Sequence, residues 1–143
     1  EMMIEFDSRA CNESFARVAV AAFMTQLNPT LEEVADVKTA VSEAITNAII
    51  HAYDNQVHKI RLECRLEGKT IEIAVTDFGK GIPDIPKAME PLFTTRPELE
   101  RSGMGFAFME AFMDELSVES RVGQGTVVRM KKTVGSRSVF EDD

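Results

Sequence analysis

SEAITNAIIHAY, residues 42–53, ends a long helical pattern and carries Glu43, Asn47 and His51 at four-residue intervals. Side chains four residues apart lie in one row along a helix, so a carboxylate, an amide and an imidazole are predicted side by side on an otherwise aliphatic helix. One interpretation is a solvated edge, since an amphipathic helix needs a polar face. The other is a row that faces a ligand.

The helical pattern before this stretch covers residues 12–28, with Asn12 in a position to cap it. Its apolar side chains recur at helical spacing, which is more often the sign of a core than of an interface. They are Phe15, Val18, Ala22 and Phe23. Arg17 lies off this stripe and is the residue we expect to make a charged contact with a partner protein.

The helix that carries the polar row covers residues 29–53 and begins with Thr30 and Glu33 in the positions of a capping box. A third helix is predicted over residues 105–116. The segment before it, residues 84–102, has no sustained period and holds several prolines and threonines. Irregular segments of this length in a compact domain are usually functional or mobile, so we interpret this one as a lid.

Alternating apolar and polar residues predict strands at 2–6, 59–66, 70–77, 116–122 and 126–132. Short turn sequences join the second strand to the third and the fourth to the fifth, which predicts two β-hairpins. The order of elements indicates an α+β fold, a two-layer sandwich with helices on one face of a mixed, mostly antiparallel sheet.

The length of 143 residues is typical of one domain, which we place at 1–133, with a flexible acidic tail at 134–143. With 24 acidic and 16 basic side chains the net charge is -8, which disfavours nucleic acid and anionic lipid as direct partners. The two cysteines lack metal-ligand spacing, and no apolar run approaches the roughly 20 residues that span a bilayer. We therefore expect a soluble, cytoplasmic protein without a membrane partner.

Three further motifs follow the polar row: DFGKGIPD at 77–84 after a strand, SGMG at 102–105 before a helix, and GQGT at 123–126 between strands. Each has an ordinary explanation when taken alone. An Asp at the end of a strand makes Asx turns, and GQGT suits a hairpin turn. Glycines that open a helix also let backbone N–H groups converge on an anion. The signal lies in the ordered set.

This ordered set, over residues 2–132, resembles the Bergerat-type ATP-binding fold shared by gyrase B, MutL and histidine kinases. Within that superfamily it is most similar to the small anti-sigma factor kinases, in particular the sporulation anti-sigma F factors. The resemblance implies a homodimeric protein serine kinase that binds ATP or ADP with Mg²⁺. It also implies that the protein sequesters a sporulation sigma factor, sigma F, and phosphorylates a serine on its anti-anti-sigma antagonist.

The resemblance implies a role for each motif residue. Glu43 matches the general base, Asn47 the Mg²⁺ ligand, and Asp77 the acceptor of a hydrogen bond from the adenine amino group. His51 is assigned to packing rather than to catalysis. The remaining nucleotide-binding positions are Gly79, Gly81, Arg101, Ser102, Gly103, Gly105 and Thr126.

Three alternatives stay open. One is an anti-sigma factor kinase of the general stress response. Another is a non-catalytic clamp in which ATP acts only as a conformational ligand, although such a clamp has no need of a base at Glu43. The third is a detached histidine-kinase catalytic domain, which needs a helical phosphoacceptor hairpin upstream; the first 30 residues are too few for one.

Overall fold

The computed structural model describes residues 1–54, 56–89 and 105–135. Within these ranges five strands form one sheet in the order β1-β2-β3-β5-β4. The strands are β1 (Met2–Asp7), β2 (Lys59–Glu67), β3 (Thr70–Asp77), β4 (Glu115–Arg121) and β5 (Gly125–Thr133). Each neighbouring pair is antiparallel, which confirms both predicted hairpins and the mostly antiparallel sheet.

The helices of the described ranges are α1 (Ala10–Met24), α2 (Leu31–Asn47), α3 (Ile85–Ala88) and α4 (Gly105–Phe112). A 3₁₀ turn (Thr25–Leu27) follows α1, and a π-helical turn (Ala48–Ala52) continues α2. Helix α2 packs between α1 and α4, and the helix layer shares one hydrophobic core with the sheet. The predicted α+β sandwich is confirmed. None of these helices is both long enough and apolar enough to cross a membrane.

The two faces of the sheet differ as the alternation predicted. The inward residues of the central strands are at most 2% exposed: Ile60, Leu62, Cys64, Ile71, Ile73 and Val75. The outer face carries partly exposed ion pairs, such as Arg61 with Glu5 and Arg129 with Glu119. Exposed pairs of this kind stabilise a fold by less than about 1 kcal/mol each, so the sheet is stabilised mainly by apolar burial on its inner face.

The buried face of α1 is not the predicted one. Ala16, Val20 and Met24 are fully buried, whereas Phe15 and Val18 are each 57% exposed. The prediction was wrong because α1 is apolar on two sides, and periodicity cannot decide which side meets α2 and the sheet. Of the predicted face, Phe15, Val18 and Ala22 are exposed, and Phe23 packs against the core as a partly buried side chain.

The sequence predicted the start of α2 correctly and the start of α1 wrongly. In α2 the hydroxyl of Thr30 accepts from the Glu33 N–H at 3.1 Å, and the Glu33 carboxylate accepts from the Thr30 N–H at 2.8 Å, which confirms the capping box. Asn12, predicted as a cap, lies inside α1 and donates to the carbonyl of Asp7 at 2.9 Å. Arg9 precedes the helix instead, without a side-chain cap.

The third predicted helix also ends earlier than expected. Helix α4 stops at Phe112 because Glu115 already pairs with β5. The segment predicted as irregular contains the short helix α3, which Asp84 caps through the backbone N–H of Lys87. The rest of the predicted lid, residues 90–102, and the tail from residue 136 lie outside the described residues.

Candidate functional site

Two members of the polar row, Glu43 and Asn47, lie next to Gly105 of α4. Gly105 is buried, and a Cβ atom placed on it would lie 3.2 Å from Oδ1 and 3.3 Å from Nδ2 of Asn47. The same atom would lie 3.4 Å from Oε2 of Glu43. A residue without a side chain lets α4 begin this close to α2. The fold therefore brings together three predicted site residues from two separate motifs.

The amide of Asn47 has unused hydrogen-bonding capacity. Its Nδ2 is buried and has no hydrogen-bond partner among the described residues. A buried polar group without a partner costs about 1–3 kcal/mol, so such groups are rare in folded proteins. An amide N–H group held in this state fits a side chain that an acceptor on a bound ligand, such as a phosphate oxygen, satisfies.

The amide oxygen of Asn47 is the kind of ligand atom that Mg²⁺ prefers. Among the described residues there is no group of three or more His, Cys, Asp and Glu side chains that could hold a metal. Mg²⁺ prefers oxygen ligands and usually takes most of them from phosphates and water, with one or two from the protein. The amide oxygen of Asn47 is suited to be one of those ligands.

The π-helical turn at the end of α2 contacts the loop after β3, residues 78–84, which we call the glycine loop. A Cβ atom on Gly79 would lie 2.4 Å from the carbonyl oxygen of Ala52. The backbone N–H of Lys80 donates to the same oxygen at 3.3 Å. His51 lies in this turn and is partly buried. π turns occur frequently at functional sites, and here one places the loop after β3 directly against the helix that carries Glu43 and Asn47.

Asp77 ends β3 and is only 7% exposed. Its Oδ1 accepts from the backbone N–H of Gly79 at 3.0 Å, so the predicted Asx turn is present. Burial raises the pKa of the Asp77 carboxyl, while hydrogen bonds from the backbone N–H groups of Gly79 and Thr126 act in the opposite direction. A carboxylate has about four lone-pair sites, so these bonds leave acceptor capacity for a ligand.

Tyr53 stabilises the loop after Asp77 through its hydroxyl, although the sequence analysis did not select it. Its hydroxyl accepts from the backbone N–H of Phe78 at 2.7 Å and donates to the carbonyl of Lys59. Tyr53 is 5% exposed, and burial raises the pKa of its phenol. The hydroxyl thus ties the residue after Asp77 to the start of β2.

Two glycines hold the loop after β3 against the β4–β5 hairpin. Gly81 has φ +80°, and a Cβ atom on it would lie 2.3 Å from the carbonyl oxygen of Arg121. Gly125 has φ +112°, and its Cβ atom would lie 2.2 Å from the carbonyl oxygen of Asp77. Both positions need glycine for conformation and for space. Gly125 was inside the GQGT motif but was not selected as a site residue.

Ser120 of β4 is a further residue that sequence reasoning missed. Its Oγ lies 2.8 Å from Oγ1 of Thr126, which is 5% exposed. Ser120 also contacts the backbone of Gly125 and Ile82. The signal was the alternation of β4, in which Leu116, Val118 and Ser120 are partly buried between exposed neighbours.

The described site therefore has two connected parts. The first lies where α2 meets the start of α4, and the second where the end of β3 meets the hairpin. Their predicted residues are Glu43, Asn47 and Gly105 in the first part, and Asp77, Gly79, Gly81 and Thr126 in the second. Arg101, Ser102 and Gly103 lie outside the described residues, so their contacts remain predictions.

A known family model matches the part of the chain that contains the polar row, the strand-end Asp and the loop after β3. The model of the histidine kinase-like ATPase domain matches residues 7–132, a range that contains both parts of the site. The chain belongs to this family. A histidine kinase domain from the blue-light activated histidine kinase of Erythrobacter litoralis EL346 has the same fold. Its TM-score is 0.52 at 23% identity, and the match covers 72% of this chain and 45% of that chain.

Within the family, the chain is similar to proteins named anti-sigma F factor. The one from Thermoanaerobacter sp. (strain X514) is 60% identical over 135 residues, which is 94% of either chain. That of Clostridium botulinum (strain Eklund 17B / Type B) is 60% identical over 92% of this chain and 93% of its own. That of Clostridium kluyveri (strain NBRC 12016) is 56% identical over 96% of both. These matches confirm the resemblance on which the sequence analysis rested.

Proposed function

We propose that this protein is an anti-sigma factor with serine kinase activity. It binds Mg-ATP, sequesters a sporulation sigma factor, sigma F, and phosphorylates a serine on an anti-anti-sigma antagonist. The observation that carries the proposal is the placement of Glu43 and Asn47 against Gly105, the first residue of α4. A carboxylate and an amide therefore lie beside the glycine motif to which the resemblance assigns the nucleotide phosphates.

The nucleotide would use both parts of the site. Asn47 would hold Mg²⁺, which neutralises phosphate charge during phosphoryl transfer. Asp77 would accept a hydrogen bond from the adenine amino group, with Thr126 beside it in the β3–β5 register. The close approach of Gly79 to Ala52 supports this assignment, because it fixes the loop after Asp77 relative to the helix that carries Asn47.

Glu43 would act as the general base. It lies one helical turn before Asn47, on the same face of α2, and both contact Gly105. A base must lie within hydrogen-bond reach of the proton that it accepts, and the position of Glu43 next to Asn47 and Gly105 supports this role. A clamp that only binds nucleotide gains nothing from a carboxylate at this position.

Partner binding is supported by surface features and by the relatives. The exposed face of α1, with Phe15 and Val18, suits the homodimer that the resemblance implied. The net charge of -8 suits a partner that is basic because it binds DNA. The names of the relatives favour sigma F over a sigma factor of the general stress response. A sigma factor as partner implies action in the cytoplasm.

The decisive experiment measures how fast the Glu43→Gln variant transfers radiolabel from ATP to the antagonist. If Glu43 is the base, transfer falls by roughly two to four orders of magnitude while nucleotide affinity and the sigma-factor complex are retained. Glu110→Gln is the matched control, because Glu110 is an exposed carboxylate on α4. Gel filtration in ATP, run beside the transfer assay, reports on both complexes.

Parental transfer rates in Glu43→Gln would refute the base assignment. A parent protein that binds ATP and both partners but never labels the antagonist would support the non-catalytic clamp instead. Co-purification from the native cell, with mass spectrometry of the retained proteins, identifies which sigma factor is bound.

A further inference from the structure

The hydroxyl of Ser120 is the centre of a small hydrogen-bond network between β4, β5 and the glycine loop. It lies 2.7 Å from the backbone nitrogen of Ile82 and 3.0 Å from the carbonyl oxygen of Gly125. It also lies 2.8 Å from the hydroxyl of Thr126. Ser120 is partly buried, and Thr126 is nearly fully buried.

The chemistry of these groups fixes the direction of each bond. The N–H of Ile82 can only donate, and the carbonyl of Gly125 can only accept. A serine hydroxyl has one proton and two lone pairs, so Ser120 accepts from Ile82 and donates to Gly125. Its second lone pair is then left for Thr126, which must donate its own proton. The hydroxyl proton of Thr126 therefore points toward Ser120, and the lone pairs of Thr126 Oγ1 point away from Ser120.

Thr126 lies directly opposite Asp77 in the β3–β5 register, so both side chains are on the inner face of the sheet. An ionised carboxylate only accepts hydrogen bonds. With the Thr126 proton held by Ser120, this end of the site offers acceptors from both residues. Such a site favours a ligand that presents a hydrogen-bond donor to it and disfavours a ligand that presents an acceptor.

We propose that Ser120 is a positioning residue for base selectivity, because it holds the Thr126 hydroxyl as an acceptor beside Asp77. The site then selects purines with an amino group at position 6 over those with a carbonyl oxygen there. This inference rests on the proposed nucleotide-binding function. Ser120 acts through Thr126 and does not contact the base.

The test compares dissociation constants for ADP and inosine diphosphate, measured by titration calorimetry. In Ser120→Ala the Thr126 hydroxyl is free to rotate and donate to the carbonyl of hypoxanthine. The preference for ADP should therefore fall about five- to tenfold, the usual effect of one hydrogen bond. Ser120→Cys, which keeps the shape but hydrogen-bonds weakly, should show a smaller fall in the same direction. Ser117→Ala is the matched control, since Ser117 is exposed on the same strand.

A double-mutant cycle with Thr126→Val separates positioning from general support of the fold. If Ser120 acts through Thr126, adding Ser120→Ala to Thr126→Val leaves the preference unchanged. An equal loss for both nucleotides, or a further loss in the Thr126→Val background, overturns the inference. Should Ser120→Ala fail to fold, Ser120→Cys carries the same comparison. A parent protein that binds no ADP overturns the proposed function as well, whereas parental binding with an unaltered preference in the variants overturns this inference alone.

Discussion

Gly105 lies next to Asn47, and a Cβ atom on the glycine would be 3.2 Å from the amide oxygen. The first residue of α4 and the last residue of α2 thus share one small space, although they lie far apart in the sequence. Any atom added at residue 105 must displace the amide by a few tenths of an ångström, since contacts this short are tighter than ordinary van der Waals separation.

Gly105→Ala should therefore lower nucleotide affinity more than it lowers stability. The displaced Asn47 amide is poorly placed for a metal ion, whereas the alanine also gains up to about 1 kcal/mol of helix propensity in α4. We expect the free energy of unfolding to change by less than about 1 kcal/mol and ADP affinity to fall by roughly tenfold. Urea denaturation and calorimetry measure the two quantities. Ala111→Gly, on the exposed side of α4, is the control for helix propensity. Unchanged ADP affinity in Gly105→Ala would contradict the prediction.

Asn47→Ala should remove most of the dependence of nucleotide binding on magnesium. Affinity for ADP with Mg²⁺ is expected to fall by roughly ten- to hundredfold, a loss typical even of residues that only orient a metal ligand. Without nucleotide, the substitution deletes a buried donor that has no partner among the described residues, so the free energy of unfolding should rise, by at most about 1–3 kcal/mol. Titration with and without chelator is the measurement. Asn12→Ala serves as the control. If the parent protein binds ADP equally well with and without chelator, Asn47 is not a metal ligand.

Asp77→Asn should gain stability relative to the parent as pH rises. Burial raises the pKa of the Asp77 carboxyl above its ordinary value of 3.8, so folding favours the protonated form. The stability that this gives is present below the ordinary value and is lost as pH rises through the raised pKa. Asparagine does not titrate, so the difference in free energy of unfolding, variant minus parent, should increase over that window. Urea denaturation at several pH values from about 4 upward, with Glu63→Gln on the exposed sheet face as control, measures it.

The same substitution should weaken adenine nucleotides at neutral pH. An amide can turn its NH₂ group toward the adenine amino group, which replaces an acceptor by a donor and costs roughly a tenfold loss of affinity or more. The shift in melting temperature on adding ADP reports this loss. If ADP stabilises the variant as much as the parent, Asp77 is only a turn residue.

Phe15→Glu should dissociate the proposed homodimer. The side chain is 57% exposed on a helix face that also presents Val18, so a charge there is tolerated by the monomer but is unfavourable in an apolar interface. We expect the dimer dissociation constant to rise at least about tenfold, measured by sedimentation at several concentrations. Leu31→Glu is the matched control because Leu31 is 91% exposed and lies at the start of α2. Equal effects of the two substitutions would argue against the α1 face as the interface.

Local patterns in the sequence predicted the elements that depend on local interactions. The alternation in β2 and β3 identified the buried residues of both strands, because side chains of a strand point to opposite faces in turn. Thr30 and Glu33 identified the start of α2, because both capping bonds join residues only three positions apart. The ordered motifs identified the family, and the family model covers residues 7–132.

Elements that depend on what packs against them could not be predicted in this way. Helix α1 is apolar on two sides, and the contact with α2 decided that Val20 is buried and Phe15 exposed. The π-helical turn at the end of α2 replaces the regular helix that the same residues predict, where Ala52 meets the loop at Gly79. Ser120 looks like an ordinary strand residue until the hairpin brings Thr126 beside it.

The sequence by itself determined which residues of this protein carry polar groups suited to a nucleotide: a carboxylate at Glu43, an amide at Asn47 and a carboxylate at Asp77. Only the tertiary structure decided how those groups are used. Burial of Asp77 raises the pKa of its carboxyl, and the start of α4 encloses the Asn47 amide so that its nitrogen has no partner within the described residues. Both effects arise because solvation depends on every segment that surrounds a group, and those segments are distant in the chain.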